Sequence, residues 1–268
     1  MRKVALQFIL LVGLFFGTWF ALRQIDWMTL LRVQKVTQST EEKLGKLFWD
    51  IFSKDGDHPH SKIIDTTLDS LITHICASNL IDRSRIKLHI LNNDEINAFT
   101  LPDHHLVVFT GLIRDAESEG ELMGVLGHEI AHMEKNHVMK KLIKEVGLSV
   151  LISITNSGAG GEIIRQTAKT LSSTAYDREL EKEADLTAVD YLVNADVDPE
   201  QFANFLYRLS DKQVNIPNQV YWISTHPDSK DRAEAIIDFL KGKKYSKKPV
   251  LSPEQWEEMK KTVNNEQE

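Results

Sequence analysis

The stretch VLGHEIAH, residues 125–132, decides how this sequence folds, because it places two histidines and a glutamate inside an apolar run. On a helix, His128 and His132 project only about 40° apart, so both imidazoles can reach one metal ion. Glu129 lies beside that face, where its carboxylate can contact water without ligating the ion. A purely structural cluster is the alternative, but buried His and Glu are costly unless something pairs with them. The stretch therefore predicts a metal-binding helix.

A catalytic zinc site of this kind needs a third protein ligand and an open position for water. His137 is excluded by direction, since on a continuous helix it projects about 180° from His128. The long metzincin motif is also excluded, because Lys135 and Val138 stand where that motif needs a glycine and a third histidine. Residues 146–161 contain no acid, which excludes the short-spacing gluzincin pattern. The third ligand must therefore come from a later element.

The first acidic cluster on a new predicted helix is YDRELEKEADLTAVDYL, residues 176–192. Glu181 and Asp185 are four residues apart and share one helix face. A glutamate there can ligate zinc, while an aspartate one turn later holds the free N–H of a ligand histidine and fixes its tautomer. Glu179 and Glu183 are rivals, but both project away from that stripe, as on an ordinary exposed face. The pattern favours Glu181 as ligand with Asp185 behind it.

Four ordered motifs resemble the HtpX-like and CAAX-prenyl-protease family of membrane-associated zinc metallopeptidases, which are gluzincins. The resemblance covers roughly residues 97–240. It departs from the family pattern at Asp103 and His104, where two glycines are usual. The motifs are NAFTLPDHHLVVFTGLI at residues 97–113, His128-Glu-Ile-Ala-His132, Glu181-Lys-Glu-Ala-Asp185, and Ser224-Thr-His-Pro227 followed by Arg232.

The resemblance implies a zincin-type metalloprotease domain of the α+β class, mostly helical, with a small antiparallel sheet beside the HExxH helix. It assigns the third ligand of a single zinc ion to Glu181. It also places His226 in the active-site cleft with Arg232 near it. There His226 either stabilises the oxyanion or caps the zinc in a resting state. The alternative is that His226 makes a purely structural contact at the N-terminus of a helix that begins with Pro227.

These residues predict a zinc-dependent endopeptidase of the cell envelope, with Glu129 as general base and misfolded or misassembled proteins as substrates. The substrate is expected to lie extended along the strand at residues 106–109. A chaperone-like or scaffolding protein that retains the fold is the alternative, and the intact Glu129 argues against it. The net charge of −7 argues against nucleic acid as a partner. The oligomeric state is left open.

The uncharged run VALQFILLVGLFFGTWFAL, residues 4–22, is about long enough to cross a bilayer as a helix. A cleaved signal peptide is the rival interpretation, but no pair of small residues marks a cleavage site at the end of the run. We therefore expect a retained single-pass anchor at residues 1–22 that holds the protein in the lipid bilayer. The catalytic domain is expected on the periplasmic or extracytoplasmic side.

Beyond the anchor, the sequence predicts a juxtamembrane helix and linker at 23–60, the metalloprotease domain at 61–240 and a charged tail at 241–268. A capping-box pattern at residues 39–42 favours a helix start there. Alternating residues predict strands at 85–91 and 105–113 with a turn-rich connection between them. One helix is predicted from 117 to 144, ended by Gly147. The apolar and glycine-rich segment 148–161 is either a lid over the zinc or a permanent part of the core, and its glycines at 158, 160 and 161 favour the lid.

Overall fold

The computed structural model describes residues 7, 11–19, 33–55, 61–157, 161–215 and 221–265. The chain divides into two units, Met1–Glu41 and Glu42–Glu268. Residues 11–19 of the first unit are helical. Within the described ranges, no helix combines the length and apolarity that a bilayer span requires. Part of the predicted anchor at 4–22 lies outside the described residues, as do residues 56–60 of the predicted linker.

The described helices and strands follow one another in a mostly helical chain with one small sheet. In chain order they are α1 (Val33–Asp55), α2 (Lys62–Ser78), β1 (Lys87–Leu91), β2 (Ala98–Leu101), β3 (His105–Phe109), α3 (Thr110–Asp115), α4 (Glu119–Glu134), α5 (His137–Val146), α6 (Leu148–Ser157), α7 (Gly161–Ser173), α8 (Arg178–Asn194), α9 (Glu200–Asn215), α10 (Tyr221–Thr225), α11 (Ser229–Leu240) and α12 (Pro253–Asn265). Because α1 begins at Val33, the capping-box pattern at 39–42 lies inside a helix, and the predicted helix start there is wrong.

The sheet is mixed, which corrects the predicted antiparallel sheet. Its order is β1-β3-β2, with β1 parallel to β3 and β2 antiparallel to β3. The reason is an additional strand: Ala98–Leu101 lies in the segment that the sequence presented as a turn-rich connection. β2 pairs with the side of β3 that faces away from β1. The chain therefore runs from β1 to the opposite edge strand, β2, and returns through the central strand, β3. As a result β3 is bonded on both sides, and β2 is an edge of the described sheet.

The alternation of β3 separates two apolar cores. Leu106 and Val108 belong to the larger core, formed with helices α2, α4, α8, α9, α11 and α12. Val107 and Phe109 belong to the smaller core on the other face, formed with helices α1, α5, α6 and α7. All five residues of β3 are buried, because successive side chains point to opposite faces and each face is covered.

The predicted helix from 117 to 144 is two helices, because the chain turns sharply at Asn136. Asn136 has a φ of 56°, a left-handed conformation that asparagine tolerates better than most residues. The turn ends α4 at Glu134 and starts α5 at His137. Gly147, with a φ of 89°, ends α5 as predicted. The break redirects His137, whose direction on a continuous helix had excluded it from the site.

The segment at 148–157 and the C-terminal helix α12 both contribute buried side chains. In α6, Leu151 and Ile154 are 0% and 2% exposed and pack in the smaller core, so in this structure the segment at 148–157 is packed rather than open. In α12, Met259 and Val263 are fully buried in the larger core. The C-terminal segment is therefore more than solvated surface, since one face of its helix packs on the domain.

Candidate metal centre and active site

Helix α4 carries the HExxH residues into the interior, and its glycines allow close packing there. His128, Glu129 and His132 are fully buried. A Cβ added to Gly124 would lie 2.5 Å from the Cβ of Phe202 on α9, so only glycine permits this approach. Ser118 caps the start of the helix by accepting a hydrogen bond from the Glu121 backbone N–H. The close packing of α4 brings the helices that follow it in the chain up to the histidine face.

Four side chains from three parts of the chain meet at one point. These are His128, His132, Glu181 and His226, and one ligand atom from each lies within 4.8 Å of the others. The Nε2 atoms of His128 and His132 are 3.0 Å apart. Glu181 Oε1 lies 3.3 Å from His132 Nε2, and Glu181 Oε2 lies 3.6 Å from His128 Nε2. His226 Nδ1 lies 3.2 Å from His128 Nε2.

This group fits a zinc ion in both chemistry and spacing. Imidazole nitrogen and carboxylate oxygen are ordinary zinc ligands, with bonds of about 2.0–2.2 Å. In a tetrahedral site with such bonds, neighbouring ligand atoms are about 3.3–3.5 Å apart. The observed separations of 3.0 to 3.6 Å among His128, His132 and Glu181 bracket that value. The structure thus brings together the three residues predicted as ligands. It adds His226 as a fourth residue that could offer a ligand atom to a metal ion.

Asp185 and Arg232 form a charged layer behind the donors. Asp185 Oδ1 lies 3.0 Å from His128 Nδ1, the ring nitrogen that faces away from the cluster. Arg232 donates to both Asp185 oxygens, from Nε at 2.8 Å and from Nη2 at 2.6 Å. Its Nη1 lies 2.8 Å from Glu181 Oε2. The guanidinium of Arg232 therefore compensates two buried carboxylates, while Asp185 has the position of a histidine-orienting acceptor.

Glu129 lies next to the donor group but is held by other partners. The Trp222 indole Nε1 donates to Glu129 Oε1 at 3.3 Å, and the Thr100 hydroxyl donates to Glu129 Oε2 at 3.5 Å. His226 Nε2 lies 3.4 Å from Glu129 Oε1. Burial raises the pKa of Glu129 to about 8, although the bond from Trp222 opposes the shift. Burial therefore favours the neutral form of this carboxyl.

Burial also sets the protonation of the neighbouring groups. It lowers the pKa of His132 well below the ordinary value and the pKa of His226 to about 4, so both imidazoles are neutral near pH 7. Burial alone would raise the pKa of Glu181, but His226 and the Arg232 guanidinium hold it well below its usual range. Neutral imidazoles and an ionised carboxylate are the forms that bind a metal ion.

The structure places the rival candidates elsewhere. Glu183 turns away from the cluster, and its Oε2 lies 3.2 Å from His137 Nε2. His137 itself returns to the site through the break at Asn136, and its Nδ1 lies 3.0 Å from His132 Nδ1. It lies behind the ligand histidine rather than among the donors.

Three site residues were missed by reasoning from the sequence: Tyr176, Trp222 and Thr100. The Tyr176 ring lies 4.1 Å from the His132 ring, centroid to centroid. Trp222 stacks on His226 at 4.5 Å and 24°. Trp222 does precede His226 by four residues, so helical spacing was an available signal. Thr100 lies in the first of the four motifs, but its segment was predicted as a turn-rich connection, and its position there assigned no role to the hydroxyl.

Comparison with known proteins agrees with this geometry. The family model described as Peptidase family M48 matches residues 64–239, which include every predicted site residue. One relative is the beta-barrel assembly-enhancing protease of Yersinia pestis, 25% identical over 196 residues, with 66% of this chain and 40% of the relative covered. Another is the mitochondrial metalloendopeptidase OMA1 of Schizosaccharomyces pombe, 24% identical over 218 residues, with 78% and 64% covered.

A third relative is the mitochondrial metalloendopeptidase OMA1 of Bos taurus, 31% identical over 163 residues, with 56% of this chain and 31% of the relative covered. The chain therefore spans between 31% and 64% of the length of these three relatives. The resemblance drawn from the four motifs is confirmed at the level of the family.

Proposed function

This chain belongs to peptidase family M48, and from that premise we propose that it is a zinc-dependent endopeptidase acting on misfolded or misassembled proteins of the cell envelope. One observation carries the proposal: His128, His132 and Glu181 present their ligand atoms at one point, and Glu129 stands beside them on the same helix. That arrangement suits metal-assisted hydrolysis of a peptide bond, because ligands and general base are separate residues.

A zinc ion bound there would polarise the scissile carbonyl and lower the pKa of water. Glu129 accepts the proton of the attacking water on its carboxylate and later delivers it to the leaving amine. Asp185 Oδ1, 3.0 Å from His128 Nδ1, is placed to accept the N–H of that nitrogen, which would fix the tautomer and leave the Nε2 lone pair free for the metal. His226 supplies a donor to the developing oxyanion. Arg232 contributes by neutralising Glu181 and Asp185, to which its donors already point.

The proposed substrate lies extended along β2 rather than along the strand at 106–109 expected from the sequence. Both edges of β3 already carry hydrogen bonds to neighbouring strands, so its backbone groups are not available to pair with a substrate strand. β2 is an edge of the described sheet, and its Thr100 reaches the Glu129 carboxylate. An added peptide strand on that edge would bring its backbone to the catalytic group.

The names of the relatives support the proposed place of action. One set of relatives is named for enhancing β-barrel assembly and another is mitochondrial. We place this chain at a membrane, anchored by the apolar run at 4–22 with the catalytic domain on the extracytoplasmic side. Protein substrates presented at a membrane would then reach the site without leaving the surface.

The test compares the purified chain with Glu129→Gln, using a quenched fluorescent casein with and without a zinc chelator. The wild type should cleave casein and lose this activity with chelator, while Glu129→Gln should retain zinc and lose about 10²–10⁴-fold in turnover. Glu134→Gln, at the end of the same helix, is the matched control and should cleave normally. Substantial cleavage by Glu129→Gln would assign the base to another residue. A wild type that holds unfolded protein without chelator-sensitive cleavage would favour the chaperone-like alternative.

A further inference from the structure

We propose that Trp222 and Thr100 are positioning residues that hold the Glu129 carboxylate in its reactive orientation, one residue on each oxygen. The inference rests on the proposed function, because it assigns them a role in that reaction. Thr100 lies in the first of the four motifs and Trp222 lies outside them, and the motifs assign a role to neither residue. Neither residue is a metal-ligand candidate, yet both contact the proposed general base.

Trp222 is a fixed donor to Glu129. An indole nitrogen can only donate, so the carboxylate must be the acceptor of the 3.3 Å contact between Nε1 and Oε1. Both residues are fully buried, so bulk water does not compete for this bond. Once Glu129 is ionised, this bond has a charged acceptor, and such bonds are among the stronger ones in proteins. The bond therefore restricts rotation of the carboxylate about its last torsion, which is otherwise broad.

The indole is itself held by the rest of the site. It stacks on the His226 ring, and it meets the His128 ring edge-on, with centroids 5.4 Å apart. The Arg232 guanidinium carbon lies 4.9 Å from the centroid of the Trp222 ring. The Trp222 backbone N–H donates to the Ile96 carbonyl at 3.3 Å, which ties α10 to the segment just before β2. With its ring packed and its backbone anchored, the indole has little freedom to redirect its N–H group.

Thr100 holds the other oxygen from the edge strand. Its hydroxyl lies 3.5 Å from Glu129 Oε2, a long contact of the kind that tightens when substrate binds. Because Thr100 belongs to β2, the strand proposed to bind substrate also orients the base.

The test measures kcat, KM and zinc content for Trp222→Phe and Thr100→Val. Each variant preserves shape and deletes one donor, so kcat should fall about 10–100-fold, the scale expected for misplacing a catalytic group. KM and zinc content should not change. Thr100→Ser restores a hydroxyl and should recover most of the lost kcat. Trp256→Phe and Thr262→Val, both on α12, are matched controls and should behave as wild type.

A double-mutant cycle separates positioning from a structural role. Glu129→Asp withdraws the carboxylate by about 1.5 Å, the length of one C–C bond. In that background Trp222→Phe should cause little further loss, because the contact it deletes no longer exists. Thermal unfolding and the absorption spectrum of cobalt-substituted protein should match those of the parent, which shows an intact fold and metal geometry.

Three results would overturn the inference: wild-type kcat in both Trp222→Phe and Thr100→Val, full additivity with Glu129→Asp, or a kcat loss that follows zinc loss. Failure of the proposed function looks different. In that case wild-type protein itself shows no chelator-sensitive cleavage, and both proposals fall together.

Discussion

Glu181 and Glu183 lie two positions apart on α8 but face different surroundings. Glu181 is 2% exposed and lies among the histidines, whereas the Glu183 side chain is 45% exposed and pairs with His137 and Lys135. Two residues along a helix correspond to a rotation of about 200°, so only one of the pair can face α4. At the scale of the residue, the helix phase thus selects which of the two carboxylates joins the histidine cluster.

Zinc binding should follow this selection. We predict that His128→Ala, His132→Ala and Glu181→Ala abolish stoichiometric zinc binding, since each removes a ligand atom. Asp185→Asn should weaken binding by about 10–100-fold, as expected for a residue that orients a ligand. Glu183→Ala should leave zinc content unchanged. Metal analysis of dialysed protein measures all five, and equal zinc loss in the two glutamate variants would refute the assignment.

At the scale of the element, the contact between α5 and the end of α7 depends on a buried lysine. Lys141 is 5% exposed, and its Nζ donates to the carbonyls of Leu171, at 3.0 Å, and of Thr174. The same ammonium lies 4.1 Å from the centroid of the Tyr176 ring. Burial lowers the pKa of Lys141 from 10.5 to about 8. The folded protein therefore releases this proton at a lower pH than the unfolded chain does.

The pH dependence of stability should reveal this lysine. Between pH 8 and 10.5 the unfolded chain binds more protons at Lys141 than the folded protein, so the free energy of unfolding contributed by this group rises with pH. We predict that wild type gains up to about 3 kcal/mol relative to Lys141→Met across this window. Urea unfolding at several pH values measures the difference. The exposed neighbour Lys140→Met is the control, and parallel curves for wild type and Lys141→Met would contradict the prediction.

The helix α12 should contribute to the stability of the domain. Met259 is fully buried in the larger core, and Lys260 donates to the carbonyls of Ile113, Arg114 and Ala116. We predict that Met259→Ala lowers the free energy of unfolding by about 2–5 kcal/mol, because it leaves a cavity. Glu258→Ala on the same helix should have little effect. A urea midpoint for Met259→Ala equal to that of wild type would show that α12 is dispensable.

At the scale of the whole molecule, the proposed anchor can be separated from the domain. We predict that a chain starting at Gln38 remains in the supernatant after centrifugation, whereas the full chain sediments with membranes and resists carbonate extraction, because 4–22 supplies the apolar length for a span. Zinc content should be equal in the two forms. Sequencing of the mature N-terminus is the further check, and a new terminus after residue 20 would favour the signal-peptide interpretation.

The sequence by itself determined what depends on helical period. The spacing of His128, His132, Glu181 and Asp185 predicted their faces correctly, because side-chain direction within a helix is a local property. It also predicted Gly147 as a helix end, since glycine adopts the left-handed conformation at little cost. The prediction failed where the backbone departs from a regular helix. Asn136 adopts a left-handed conformation, which ends the expected helix and brings His137 back to the site.

Only the tertiary structure decided which elements meet. The donors to Glu129 come from residues 29 and 93 positions away, in a strand hidden within a turn-rich segment and in a short helix before His226. The order of the sheet was likewise decided by β2 crossing to the far side of β3. The physical reason is that periodicity is set by neighbours within one turn, whereas such contacts arise from the burial of whole apolar faces against one another.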